Sequence, residues 1–224
     1  MRAAAVLVAA GSSRRMGFDK LAARLAGRTV VEWSLEAFEK APSIDLAILV
    51  CAPDRIAEFT ALAAPFPKFR KVIAGGAERG ISVRNGLEAL SGDAPDLVAV
   101  HDAARPLVTP GLIEKTLASA AAHHAASAAQ PVSDSLHRAD AAGALHETVC
   151  RQGLFAMQTP QAARFDLLLA ALQAHHAGAT DEVSALIAAG IHPRAVMHDA
   201  PNFKITHPQD LALAEVLLQL RTNP

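Results

Sequence analysis

Short apolar runs separated by amphipathic stretches constrain this chain more than any other feature. Residues 4–9, Ile44–Cys51, 97–100 and 127–132 read as buried strands, with another around Val72. Their apolarity is continuous rather than alternating, as expected for a mainly parallel sheet covered on both faces. Helix starts fall between them. Thr29-Val30-Val31-Glu32 has capping-box form and is followed by Val31, Leu35 and Phe38 on one face. Thr109-Pro110 offers an N-cap with proline at the first helical position, and Thr180-Asp181-Glu182 a cap with two acids. His207-Pro208 opens a last helix whose apolar face includes Leu213, Leu217 and Leu220.

Strand–helix alternation of this kind predicts right-handed crossovers and an α/β, Rossmann-like sheet with helices on both faces. Ligands in such sheets bind beyond the carboxyl ends of the strands, here just after Ala9, Cys51, Ala74 and Val100. One segment breaks the pattern. Residues 133–151 are polar, turn at Ala142-Gly143 and include the alternating piece His146-Glu147-Thr148-Val149-Cys150, which reads as a β-hairpin outside the sheet. An isolated hairpin is marginal in water, so it is expected to pack on something, a second subunit being the natural candidate.

The 224 residues fit one α/β domain. With a formal net charge of −1 there is no global basic field, which argues against a nucleic-acid partner. No apolar run is long enough for a membrane span. The apolar N-terminus flows directly into Gly11-Ser12-Ser13, as a first strand and glycine turn do, rather than into a signal-peptide cleavage site. Cys51 and Cys150 stand alone, without a Cys-x-x-Cys motif, which suits a reducing cytoplasm. His123-His124 and His175-His176 read as solvated helix surface, and Cys51 as strand packing.

Four motifs carry the chemistry. Ala9-Ala10-Gly11-Ser12-Ser13-Arg14-Arg15-Met16-Gly17-Phe18-Asp19-Lys20 follows the first strand. Its small residues let backbone N–H groups approach an anion, and Arg14, Arg15 and Lys20 add positive charge, so a triphosphate site is expected. It is neither a Walker A loop nor the dinucleotide G-x-G-x-x-G, which disfavours a nicotinamide dehydrogenase. Val100-His101-Asp102-Ala103-Ala104-Arg105-Pro106 puts an acid and an arginine at a strand end. There Asp102 suits a divalent metal or a phosphate-bearing substrate, Arg105 suits phosphate, and an Asp–Arg ion pair is the plainer reading. In Gly75-Gly76-Ala77-Glu78-Arg79-Gly80-Ile81-Ser82 the paired glycines leave bare backbone for a base, and Ser82 either caps the next helix or touches a nucleotide. In Asn202-Phe203-Lys204-Ile205-Thr206, Lys204 sits in a short apolar, strand-like piece, costly for an ammonium unless an anion waits there.

Together the pieces AAGSSRRMGFDK, GGAERGISVRNGL, HDAARPLV, PVSDSLHR, VCRQGLFAMQTPQ, TDEVSAL and NFKITHPQDLALAE resemble the 2-C-methyl-D-erythritol 4-phosphate cytidylyltransferases, within the nucleotidyltransferase superfamily. The resemblance runs in order from Ala9 to Glu215. It implies a mixed, mainly parallel sheet in a single nucleotidyltransferase domain, 1–224, with 133–151 as an arm embracing a partner in a homodimer. It implies that Arg15 and Lys20 hold the triphosphate and, with Lys204, act in catalysis. The backbone of Ala9, Ala10 and Gly11, the Gly76 and Ala77 loop and Ser82 would hold cytidine. Asp102, Arg105 and Lys204 would organise methylerythritol phosphate and the metal region, with Asp102 at Mg²⁺ or another divalent cation. Ser135 and Arg151 would reach the acceptor across the dimer, and Thr159 and Thr180 would add to its site. Three positions depart from the family pattern: the loop before Lys20 is short, Ser135 replaces a common threonine, and Ala77 replaces a frequent acid.

The implied reaction is in-line attack of the acceptor phosphate on the α-phosphorus of CTP, with pyrophosphate leaving. A phosphate monoester is largely dianionic near pH 7, so no general base is needed. The same machinery would serve ribitol 5-phosphate or a molybdopterin acceptor, and a catalytically inactive nucleotide sensor is the reading from outside enzymology.

Overall fold

A computed structural model describes residues 1–11, 16–174 and 180–222. The chain begins with β1 (Ala3–Ala9), the ribbon β2 (Arg24–Leu25) and β3 (Arg28–Thr29), and α1 (Val30–Glu39). It continues through β4 (Ile44–Cys51), α2 (Ile56–Ala63), β5 (Phe69–Ala74), α3 (Arg79–Leu90), β6 (Leu97–Asp102) and α4 (Pro110–His123). After β7 (Ala125–Pro131) come the hairpin β8 (Leu136–Ala139) and β9 (Leu145–Val149), then β10 (Phe155–Arg164) and α5 (Phe165–Ala174). The last elements are α6 (Glu182–Ala188), β11 (Arg194–Met197) and α7 (Pro208–Thr222). Among the described residues no helix is long and apolar enough to cross a membrane.

The central sheet has seven strands in the order β11-β7-β10-β6-β1-β4-β5. Only β10 runs antiparallel to its neighbours, β6 and β7; the other pairings are parallel. Successive side chains of a strand point to opposite faces, and β1 shows both faces covered. Ala3, Ala5, Leu7 and Ala9 enter a core with α1, α4 and α7, whereas Ala4 and Val6 enter another with α3, α5 and α6. This is the expected α/β architecture.

The local signals hold. Thr29 Oγ1 accepts from Glu32 N at 3.4 Å and Glu32 Oε2 accepts from Thr29 N at 2.7 Å, a complete capping box for α1. Thr109 Oγ1 accepts from Leu112 N over Pro110. Cys51 is fully buried in β4.

Four expectations need correction. Strand β10 was not anticipated, because Gln158-Thr159-Pro160-Gln161 lies inside it; the ladder to β7 shifts register between Met157 and Gln161, where proline is tolerated. The short edge strand β11 also lacked an apolar signal. Lys204 lies in irregular chain rather than a strand, tied by Ile205 N to Ala104 O at 2.8 Å. In α7, Leu213 and Leu220 face outward; Ala214 and Leu218 are the buried residues, with Leu217 partly buried beside them. The inward face of α7 is thus centred on Ala214 and Leu218 rather than on Leu213 and Leu220.

The hairpin forms as its own two-stranded sheet. Its turn is set by Asp140, whose carboxylate accepts from Ala142 N and Ala144 N at 2.9 Å, and by Gly143 at φ +87°.

Candidate active site

Two adjoining cavities open beyond the carboxyl ends of the strands. The first, about 330 Å³, is floored by Ala9, Ala10 and Gly11 after β1 and walled by Gly76, Ala77 and Ser82. Here the glycine requirement is steric: a Cβ on Gly75 would lie 2.7 Å from both Ala10 Cβ and Ser82 Oγ. Ser82 is not the cap of α3, since Glu78 occupies that position. It lies within the helix, where its Oγ donates to Glu78 O and accepts from Gly76 N, both at 3.1 Å. That pins the glycine loop with its backbone facing the cavity. Lys20 reaches the same cavity and donates to Ile205 O at 2.8 Å.

The second cavity, about 480 Å³, is bordered by Arg105, Gln158, Thr159, Thr180 and Asp181. Arg79, Asp102 and Lys204 line both cavities and so form the wall between them. Asp102 Oδ1 accepts from Arg79 Nε at 2.8 Å and Oδ2 from Lys204 Nζ at 2.9 Å. Burial alone would push this carboxyl up, but Arg79 and then Lys204 hold it well below the usual carboxylate range. Arg79 also binds buried Glu182 with two parallel bonds, Nη1 at 2.7 Å and Nη2 at 3.0 Å. Desolvation works against its charge, yet the two carboxylates raise its pKa further. Arg105 is pulled downward by burial, opposed by Asp102, whose carboxylate lies 3.8 Å away.

Glu182 was expected only as a helix-start acid and Arg79 carried no assigned role. A charged pair buried by residues 103 apart leaves no signal in either segment alone. Asp181 proves to be the true cap of α6, and its second oxygen accepts from Gln161 Nε2 at 2.9 Å. Gln161 Oε1 in turn accepts from Val183 N, so the Thr-Pro-Gln piece anchors α6 to the sheet.

Behind the wall lies fully buried His101, packed against Phe38 with ring centroids 5.1 Å apart and the ring planes tilted by 46°. Burial pushes its pKa down to about 3, so the ring is neutral.

The structure thus gathers Ala9, Ala10, Gly11, Lys20, Gly76, Ala77, Ser82, Asp102, Arg105, Thr159, Thr180 and Lys204 around one continuous cleft. Arg15 lies outside the described residues. Ser135 and Arg151 are exposed on the hairpin and line neither cavity of their own chain, Arg151 donating to Ser133 O beside it. Among the described residues no group of three or more His, Cys, Asp or Glu side chains is placed to cage a metal ion. Asp102 is the one described carboxylate that faces both cavities. Both of its oxygens are held by Arg79 and Lys204, so a hard divalent cation carried on a polyphosphate would find a single, already paired carboxylate to touch.

The chain is similar in sequence and in fold to known proteins. The family profile described as IspD, 2-C-methyl-D-erythritol 4-phosphate cytidylyltransferase, matches residues 3–220. A 2-C-methyl-D-erythritol 4-phosphate cytidylyltransferase of Cereibacter sphaeroides (strain KD131 / KCTC 12085) is 45% identical over 222 residues, 98% of each chain. A bifunctional enzyme IspD/IspF of Nitrobacter hamburgensis is 39% identical over 99% of this chain and 58% of its own length. The crystal structure of the cytidylyltransferase from Thermus thermophilus superposes with a TM-score of 0.79 at 33% identity, covering 98% of this chain and 100% of that one. With fold and sequence in agreement over almost its full length, the chain belongs to the 2-C-methyl-D-erythritol 4-phosphate cytidylyltransferase family of nucleotidyltransferases.

Proposed function

We propose that the first cavity takes CTP, the second takes 2-C-methyl-D-erythritol 4-phosphate, and the reaction occurs at the wall they share. The observation that carries this division is that Arg79, Asp102 and Lys204 line both cavities. Cytidine lies against the bare backbone of Gly76 and Ala77, with Ser82 holding that loop in place. Lys20 and Arg15 grip the triphosphate and offset charge growing on the α-phosphoryl and leaving oxygens. Arg105 and Lys204 orient the acceptor phosphate, while Thr159 and Thr180 border the sugar-alcohol end.

One acceptor phosphate oxygen forms a bond to the α-phosphorus as the bond to the β-phosphoryl oxygen breaks. Pyrophosphate leaves with that electron pair, and no proton need be removed from the attacking group. Positioning therefore carries the rate. Mg²⁺ on the triphosphate, with Asp102 in reach, would neutralise phosphate charge. Ser135 and Arg151 act on the acceptor bound by a partner subunit, in a cytoplasmic homodimer joined through the arm.

The test is pyrophosphate release from CTP with Mg²⁺, with methylerythritol phosphate and ribitol 5-phosphate supplied separately. Release only with methylerythritol phosphate is expected. Preference for ribitol 5-phosphate would overturn the acceptor, and CTP binding without release would return the inactive-sensor reading.

A further inference from the structure

Arg105, Asn202, Thr159 and His101 close a ring of hydrogen bonds behind the second cavity. Arg105 Nη1 donates to Asn202 O at 2.9 Å, and Asn202 Nδ2 donates to Thr159 O at 2.8 Å. Thr159 Oγ1 meets His101 Nδ1 at 3.0 Å, and His101 Nε2 meets Arg105 O at 3.3 Å. The ring joins the turn after β6, the interior of β10 and the segment before α7, which are distant in sequence.

Its direction follows from the atoms. A carbonyl oxygen only accepts, so His101 Nε2 carries the proton and donates to Arg105 O. Thr159 Oγ1 accepts from Asp102 N at 3.1 Å, so its own hydrogen is left to donate to His101 Nδ1, the acceptor within reach at 3.0 Å. A single tautomer of a buried ring thereby fixes the backbone of the residue whose carboxylate holds Arg79 and Lys204.

We infer that His101 and Asn202 are positioning residues, which act through Thr159 to set Asp102, Arg105 and Lys204 at the spacing that the acceptor phosphate requires. Neither lines a cavity. The ring borders the second cavity and leaves the glycine wall of the first untouched, so it bears on acceptor use more than on CTP binding. The inference rests on the cytidylyltransferase reading for its kinetic form, but its structural form is independent of it.

The experiment compares His101→Gln, Asn202→Leu and the pair Thr159→Val and Thr159→Ser in the full chain, with Phe59→Leu, fully buried on α2, as a packing control. Opening the ring is expected to lower kcat/KM for methylerythritol phosphate roughly ten- to a hundredfold, the cost of misplacing a reacting group by an ångström or less, while KM for CTP changes much less. Thr159→Ser, which keeps the hydroxyl, recovers the loss seen in Thr159→Val. Amide hydrogen exchange at Asp102, which needs no turnover, quickens roughly five- to tenfold in His101→Gln and Thr159→Val, as expected for one lost hydrogen bond, and is unchanged in Phe59→Leu. Unchanged exchange at Asp102 in Thr159→Val would overturn the ring. Protected exchange with the kinetic loss tracking only thermal stability, as in Phe59→Leu, would overturn the positioning role. Absent turnover in the wild type would sink the enzymatic reading instead, and the exchange result would still decide the ring.

Discussion

Arg79 holds the Glu182 carboxylate through two parallel bonds of 2.7 and 3.0 Å while its Nε reaches Asp102 at 2.8 Å. One guanidinium thus bolts the first turn of α6 to the end of β6. Removing Arg79 strands the buried Glu182 carboxylate, whereas removing Glu182 leaves Arg79 with Asp102 as partner and with access to the cleft. Arg79→Met is expected to destabilise the fold by about 3–5 kcal/mol, Glu182→Leu by less, and the double substitution by less than the sum of the two. Denaturant unfolding of the two single variants and the double checks this; additive losses would mean that the residues do not act as a pair.

Lys20 and Lys204 belong to the chemistry more than to stability, since each lies at the open cleft. Lys20→Ala and Lys204→Ala are expected to keep the wild-type melting temperature within a few degrees and to lower kcat roughly a hundredfold or more, as loss of a preorganised charge at a developing anion does. Steady-state kinetics beside thermal melts decide it. Full turnover in either variant would remove that lysine from its assigned role.

Acid should weaken the protein through His101. Its pKa is held at about 3 in the folded chain against an ordinary 6.5. Between those values the unfolded chain binds a proton that the folded chain refuses, so stability falls as pH drops through this window. The slope contributed by this one group approaches about 1.4 kcal/mol per pH unit. His101→Gln is expected to flatten the stability-versus-pH curve between pH 6.5 and 3. Equal slopes for the variant and the wild type would show that the ring is protonated in the fold.

The arm makes a prediction that needs two inactive proteins. If Arg151 serves the partner's site while Lys204 serves its own, Lys204→Ala and Arg151→Ala are each inactive alone. After subunit exchange of an equal mixture, half of the dimers are mixed and each mixed dimer holds one intact site. Activity should return to about a quarter of the wild-type value. No recovery despite proven exchange would place Arg151 and Lys204 in the same chain's site.

Much of this was legible in the chain because the signals were local. The bounds of β4 follow from the run Ile44–Cys51, the cap of α1 from Thr29 and Glu32, and the cleft's place from glycine loops at strand ends. What escaped was non-local. Strand β10 is specified by its position between β6 and β7, not by Gln158-Thr159-Pro160, and Arg79 becomes meaningful only when Glu182, far along the chain, folds beside it. In α7 an alanine, Ala214, is buried and Leu213 beside it is exposed, a rotation by a fraction of a turn that the leucine pattern does not display.

Lys20 is held by the carbonyl of Ile205, 185 residues further on, and Asp102 meets Lys204 across 102 residues. Chains emerge and fold from the N-terminal side during synthesis. Strands β1, β4, β5 and β6 and their helices are therefore made while the reactive cleft still lacks the segment that orders its lysines. The cleft is thus the last part of the fold to be completed, because Lys204 and the carbonyl that holds Lys20 are made after the strands they close upon.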